Sequence, residues 1–268
     1  MSLKSILLSA VAILCLSSSS WAYQRVVLLS PAAADIFLQL GLKGKIVGVT
    51  RHIKGFPDAV KVGSHIKPNV EIIASLHPDL IVYSTSKHLP QALKIKVKAR
   101  YYHYDPKTIA QLFEEIMRIA QMLNVYPRGQ KLVAQLKNKL AAVKKLSSHP
   151  RVVYEVMYIP YMLAGQKNIV SDVIAQAGGI NLIQAPKKFV KYSLEKVVQL
   201  QPDIYIYQIG PMNKKPLPPQ ERLEFKTLKA KFLKVNELAY ARANTHIIDA
   251  VLQLNKIFYR WTQHPSQK

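Results

Sequence analysis

The chain has 268 residues, one cysteine, and 38 Lys and Arg against 15 Asp and Glu, a formal charge of +23. One cysteine excludes a disulfide scaffold, and this length can bury apolar cores without one. The lysines are scattered, with no dense arginine tract or aromatic-interleaved basic ribbon, which argues against a nucleic-acid binder and makes the few acids informative.

In chain order, Lys4, an apolar run over 6–16, serines at 17–20 and Ser20-Trp21-Ala22 read as a secretory signal cleaved after Ala22, leaving 246 residues. Cys15 follows Leu14 rather than a small residue, so export to the periplasm without a lipid anchor is expected. From Arg25, RVVLLS reads as a strand, Pro31 opens a helix to about Leu40, and Gly41 ends it before the strand KIVGVT. Loops at 51–57 and 63–69 lead to a short helix that breaks at Pro78-Asp79 before a β-branched strand. ARYYHYD is the next strand. Asp105-Pro106 then opens a helix to about Leu123, and 124–128, with Pro127, interrupts. Residues 129–146 carry Leu132, Val133, Leu136, Leu140 and Val143 at helical spacing, a helix of about 18 residues or roughly 27 Å that can tie two lobes together. After His149-Pro150 come the strand RVVYEVMYI and a helix from about Asn168 to Gly178-Gly179. A lysine- and proline-rich segment at 211–219 and a final helix from about Asn244 to Thr262 complete the chain.

One segment occurs twice. VEIIASLHPDLIVY at 70–83 returns as LEKVVQLQPDIYIY at 194–207, with Glu71 and Glu195, Leu76 and Leu200, Pro78 and Pro202, Asp79 and Asp203, Tyr83 and Tyr207 matched at one offset of 124 residues. A helix-to-strand unit repeated at that spacing predicts an α/β fold of two similar lobes with central sheets, bridged by one long helix, with a ligand cleft between them. The expected division is a signal at 1–22, a first lobe at 23–126, a linking helix at 127–148 and a second lobe at 149–268. Asp79 and Asp203 read as turn formers.

RVVLLSPAAADIFLQLGLKGKIVGVT, the two repeat copies, AGGINLI at 177–183 and YARANTH at 240–246 together resemble, in order and spacing, the helical-backbone periplasmic binding proteins of importers for cobalamin, ferric siderophores and haem. The resemblance covers essentially the whole exported chain. It implies a receptor that closes modestly on a metal-bearing macrocycle or chelate and delivers it to a dimeric permease with its ATPase. It also implies that Glu71 and Glu195, one per lobe, dock against permease arginines. Their placement at helix starts has a simpler rationale too, since a carboxylate there is favoured by the helix dipole.

Ligand residues are expected just beyond the strands: Arg51, His52, Tyr83, Ser84, Tyr104, Tyr158, Tyr161 and Tyr207. Ser64, His65, Tyr240 and Arg242 join them by position in the family's motifs. Tyrosines would cover a flat macrocycle and arginines would pair with its carboxylates or phosphate. The cobalamin-binding members carry an aromatic residue where His65 stands, and the haem-binding members a tyrosine ligand where this chain has Ser64. The expected cargo is therefore of cobalamin type first, then a ferric siderophore or haem. None of the eight histidines forms a zinc-helix pair, and no phosphate loop, G-x-S-x-G elbow or cysteine nucleophile appears. No metal site, cofactor or enzymatic activity is expected, and nucleic acid is not an expected partner. Two other readings stand beside the receptor: an exported basic protein that binds an anionic polymer or surface, and a bare metal-ion receptor.

Overall fold

The structure, a computed structural model, describes residues 22–263. The expected signal therefore lies, apart from Ala22, outside the described residues.

Strand β1 (Val26–Leu28) runs into helix α1 (Pro31–Gln39), where the Ser30 hydroxyl accepts from the Ala33 N–H and Pro31 sits in the first turn. Gly41, at φ +70°, releases the chain towards β2 (Ile46–Val49) and β3 (Val60–Lys61). Next come α2 (Val70–Ser75), β4 (Leu80–Tyr83), α3 (Gln91–Lys96) and β5 (Arg100–His103). Two longer helices, α4 (Ile109–Met122) and α5 (Tyr126–Leu140), lead to the second half. That half contains β6 (Arg151–Met157), β7 (Met162–Ala164), α6 (Ile169–Gln176), β8 (Ile180–Asn181), β9 (Phe189–Lys191), α7 (Leu194–Leu200) and β10 (Ile204–Ile209). A 3-10 turn at Leu223–Phe225, β11 (Lys231–Asn236), α8 (Glu237–Tyr240) and α9 (Ile247–Gln263) follow.

The strands form two sheets, in the order β3-β2-β1-β4-β5 and β11-β10-β6-β7-β9. The first is parallel throughout. The second is parallel across β11-β10-β6 and antiparallel at β7 and β9, with β8 beside β6. Central strands such as VVL and VVYEV are buried on both faces, as parallel sheets covered by helices require. Each sheet keeps a private core on one face, around Val27, Ile73 and Ile81 in the first and Val197, Tyr205 and Phe225 in the second. On the other face a single core runs from Val26 and Phe37 through Leu132 to Val152, Phe258 and Trp261, so both lobes share it.

The repeat has a structural counterpart that extends back to the strand before it. Arg25 donates from Nε and Nη2 to the Leu76 carbonyl at 3.0 and 2.7 Å, at the end of α2. Arg151 donates from Nη2 to Leu200 and from Nη1 to Gln201 at 2.7 and 3.2 Å, at the end of α7. In return Asp79 accepts from the Gln24 and Arg25 amides at 2.7 and 3.0 Å, and Asp203 from the Arg151 amide at 2.7 Å. His77 and Gln201 both sit at φ +44°, turning the chain out of each helix. Asp79 and Asp203 thus fasten strand to helix, a larger role than forming turns.

Two expected helix boundaries move. The helix after Asp105-Pro106 starts at Ile109, because Thr108 caps it through the Gln111 N–H while Asp105 turns to Lys107 and Lys188. The linking helix runs from Tyr126 to Leu140, about 22 Å at the usual rise. It begins earlier than expected because Pro127 lies in its first turn, where the missing N–H is no loss. It also ends earlier: Asn255 bonds both the N–H and the carbonyl of Lys144 at 2.8 Å, holding the chain in a non-helical path. α5 packs on α4 and on α9, touching both halves.

A Cβ on Gly129 would lie 2.5 Å from the Ala120 Cβ, where α5 crosses α4. Gly129→Val is expected to lower stability by about 1–3 kcal/mol in denaturant titration. Gly44→Ala, which meets nothing within 4 Å, should change it by less than about 0.5 kcal/mol.

Candidate functional site

The carboxyl ends of the parallel strands face the gap between the lobes, where open α/β sheets bind ligands. On the first lobe, Gly63 at φ +93° opens a tight turn in which Ser64 and Lys67 exchange backbone hydrogen bonds at 3.2 and 3.3 Å. The Ser64 hydroxyl accepts from the Lys67 amide at 3.0 Å, so it serves the turn. His65 and Ile66 stand exposed at the tip. The Arg51 amide donates to the Gly63 carbonyl at 2.8 Å, drawing Arg51 and His52, both exposed, beside this turn. His65 lines a small pocket with Tyr83, Ser84 and His88. The Tyr83 ring lies 5.2 Å from that of His103.

Although His65 as a whole is exposed, its side chain lines the pocket and is partly desolvated there, which pushes its pKa below the ordinary value, helped by His88, Arg242 and His52. That places His52 and His88 of the first lobe and Arg242 of the second within electrostatic range of His65. They do not converge on a metal: among the described residues no three His, Cys, Asp or Glu side chains are placed to hold an ion. Arg242 lines a crevice of about 150 Å³ at the seam, with Ser84, Tyr104, Asp105 and Lys107 from the first lobe and Lys188 from the second. Lys188 reaches across to Asp105 at 2.9 Å. Burial pushes the Arg242 pKa down, opposed by Glu237. Its guanidinium makes no hydrogen bond or ion pair to any described residue.

The second lobe treats its expected tyrosines differently. Glu155 on β6 is fully buried and paired with Arg222, which also donates from Nε to the Leu217 carbonyl at 2.9 Å. Arg222 Nη2 lies 3.0 Å from Glu155 Oε1, and the guanidinium covers the Tyr158 ring at 4.1 Å. Tyr205 donates to Glu155, and the Tyr161 hydroxyl lies 2.8 Å from that of Tyr205. Burial raises the Tyr161 pKa. Tyr207 is 7% exposed within the private core. Tyr240 is 6% exposed in the shared core, with its hydroxyl on Gln253 at 3.0 Å and its pKa pushed up by burial to about 12. Tyr161 and Tyr207 therefore pack within their own lobe and Tyr240 in the shared core, while Tyr158 is half-buried beneath Arg222.

Other residues occupy that rim. Ile159, Met212 and Leu238 follow β6, β10 and β11, adjacent strands in the sheet, and all are exposed. Ile66, at the tip of the first-lobe turn, is exposed as well, so each lobe carries exposed apolar side chains beyond its strand ends. Their exposure follows from the strand ends, a signal the sequence carries only once the strands are aligned.

Glu71 and Glu195 lie in the first turns of α2 and α7, capped by Asn69 and Ser193. Both are exposed, and Glu71 forms an ion pair with Lys96. No helix among the described residues is long and apolar enough to cross a membrane.

A family described as periplasmic binding protein has a sequence model that matches residues 26–250. The high-affinity heme uptake system protein IsdE of Staphylococcus aureus is 28% identical over 180 residues, 63% of this chain and 60% of that protein. The chain thus spans about 60% of the length of the curated relatives it matches. Among solved structures, the periplasmic heme-binding protein RhuT from Roseiflexus sp. RS-1 is similar at TM-score 0.71 and 22% identity, over 90% of this chain and 99% of that one. The vitamin B12 binding protein BtuF of Vibrio cholerae is similar at TM-score 0.69 and 20% identity, over 90% and 98%. These structures share the two-lobed fold.

Arg222→Met would leave Glu155 buried and unpaired. A loss of about 3–5 kcal/mol is expected by chemical denaturation. Adding Glu155→Gln should recover part of it, because the stranded charge is then gone.

Proposed function

Because the chain belongs to the periplasmic binding protein family, we infer that it is the solute receptor of an ATP-driven importer whose cargo is a metal-bearing tetrapyrrole, haem ahead of cobalamin. It is a binding protein and not an enzyme. It works outside the cytoplasm, in keeping with the signal read at its N-terminus.

What supports this reading is that His65 on the first lobe and Arg242 on the second lie within electrostatic range of each other, His65 lining a pocket and Arg242 the crevice at the seam. Burial and neighbouring positive charge favour the neutral imidazole of His65, the form that donates to a metal. Haem iron has axial positions open to such a ligand. Arg242, half-buried and free of hydrogen bonds and ion pairs among the described residues, suits a propionate, with Lys107 and Lys188 beside it. Ile66 on one lobe and Ile159, Met212 and Leu238 on the other supply apolar surface for the faces of the macrocycle. Haem fits this set better than cobalamin, whose cobalt brings its own axial ligands and which carries a single phosphodiester charge. The haem-named relatives support the same order.

In this reading Glu71 and Glu195 meet basic residues on the two halves of a permease. Their exposure on matching helices, in a chain where acids are outnumbered 38 to 15, supports that role.

Hemin and cyanocobalamin titrations followed by visible absorbance test the cargo. Hemin is expected to bind, His65→Ala to shift the Soret band, and Arg242→Gln to weaken affinity by about tenfold or more. Stronger binding of cyanocobalamin than of hemin would reverse the order, and no binding of either would end the tetrapyrrole reading. The pH dependence has a defined sign. His65 resists protonation in the folded protein, so hemin affinity should hold as pH falls through 6.5, the ordinary histidine value, and drop only below it. Titrations between pH 5 and 8 measure this, and a loss beginning above pH 7 would contradict it.

A further inference from the structure

We propose that each of these glutamates has an apolar companion, Ile95 for Glu71 and Leu223 for Glu195, so that each lobe offers a permease half the same two-part contact. The proposal rests on the reading of the chain as an importer's receptor.

Ile95 is 75% exposed and Leu223 73%, and among the described large apolar residues only Ile159 at the rim is more exposed. A single exposed aliphatic residue is ordinary and needs no explanation. These two stand at corresponding places. In the first lobe α2 leads to β4, the crossover helix α3 and the parallel partner β5. In the second lobe α7 leads to β10, a crossover ending in the turn at Leu223–Phe225, and the parallel partner β11. Ile95 is on the first crossover and Leu223 on the second. α3 packs against α2, and the Leu223–Phe225 turn packs against α7. Each exposed aliphatic side chain therefore sits on the element that neighbours its lobe's glutamate helix. Neither the helical pattern of α3 nor the core beneath the turn needs them, since Leu93 and Phe225 already fill the inward positions.

The surroundings indicate the partner's chemistry. Glu71 is held by Lys96, next to Ile95, so a partner cation on that side must displace a lysine. On the other side Glu195, Glu221 and Glu224 are exposed near Leu223. A pseudo-two-fold partner fits: a permease dimer, each half presenting a basic side chain next to an apolar hollow. The charge would set encounter and orientation, and the aliphatic contact would hold the complex once formed.

The test uses the exported chain and its permease–ATPase complex in nanodiscs, with association and dissociation followed separately. Ile95→Ser and Leu223→Ser are each expected to weaken binding by about tenfold, mostly through faster dissociation. Melting temperature and hemin affinity should be unchanged. Glu71→Gln with Glu195→Gln should instead slow association and flatten its salt dependence. If the Ile95→Ser, Leu223→Ser double variant binds as tightly as the unaltered chain while the glutamate variant weakens, this proposal falls and glutamate docking stands. If the glutamate variant is also unaffected, or the unaltered chain does not bind the permease, the receptor reading itself falls. Equal binding to nanodiscs without permease would assign the aliphatic pair to a lipid surface and overturn the proposal.

Discussion

The arrangement of each lobe depends on one arginine and one aspartate. A helix end leaves carbonyls without partners, and a strand entering a sheet leaves amides in the same state. Arg25 covers the carbonyls that end α2, and Asp79 takes the amides that begin β1. Arg151 and Asp203 do the same for α7 and β6. The exchange fixes where the short helix stops relative to the sheet. With its length set by Asn69 or Ser193 at the other end, it also fixes where the glutamate in its first turn stands. A pair of six- and seven-residue helices could not hold that position alone, since isolated helices so short are unstable in water.

The seam between the lobes uses a different chemistry. The Thr245 amide and hydroxyl donate to Asp35 at 2.9 and 2.6 Å, and the Ile109 amide donates to Asp172 at 2.6 Å. The Tyr104 hydroxyl donates to the Ala243 carbonyl, and Lys139 on α5 pairs with Asp249 on α9. Asp35, Asp172 and Asp249 are therefore occupied in joining the lobes. In a chain so rich in lysine, that leaves Glu71 and Glu195 among the few carboxylates on outer helix faces.

Much of this was legible in the sequence, because the repeat, the Pro-Asp breaks and the buried apolar runs are local signals. They place both sheets' central strands, the two repeated short helices and the glutamates in their first turns. Less legible were contacts between residues far apart in the chain. Glu155 and Arg222 are 67 positions apart, and nothing local marks them as partners. Through contacts with that pair and with Tyr205, Tyr158 and Tyr161, expected at a rim, pack towards the interior. Tyr207 and Tyr240 followed because a strand end or a short helix does not announce which way an aromatic ring points. Ile159, Met212 and Leu238 resemble core residues in the sequence and become surface only through the alignment of β6, β10 and β11. The antiparallel strands β7 and β9 and the edge strand β11 were not expected either, since none carries the buried apolar run of the central strands.

The apolar interior that passes from α1 through α5 to α9 has no break at the boundary between lobes. Neither half can melt without stripping the other of its packing, so the molecule should denature as one cooperative unit. The same continuity confines motion. A wide swing about the seam would tear a close-packed interior, whereas the loops at the far edge can breathe without disturbing it. In the receptor reading proposed above, cargo entry and exit would fall to the rim turns carrying His65 and Ile159, with the body of the protein acting as a stiff frame.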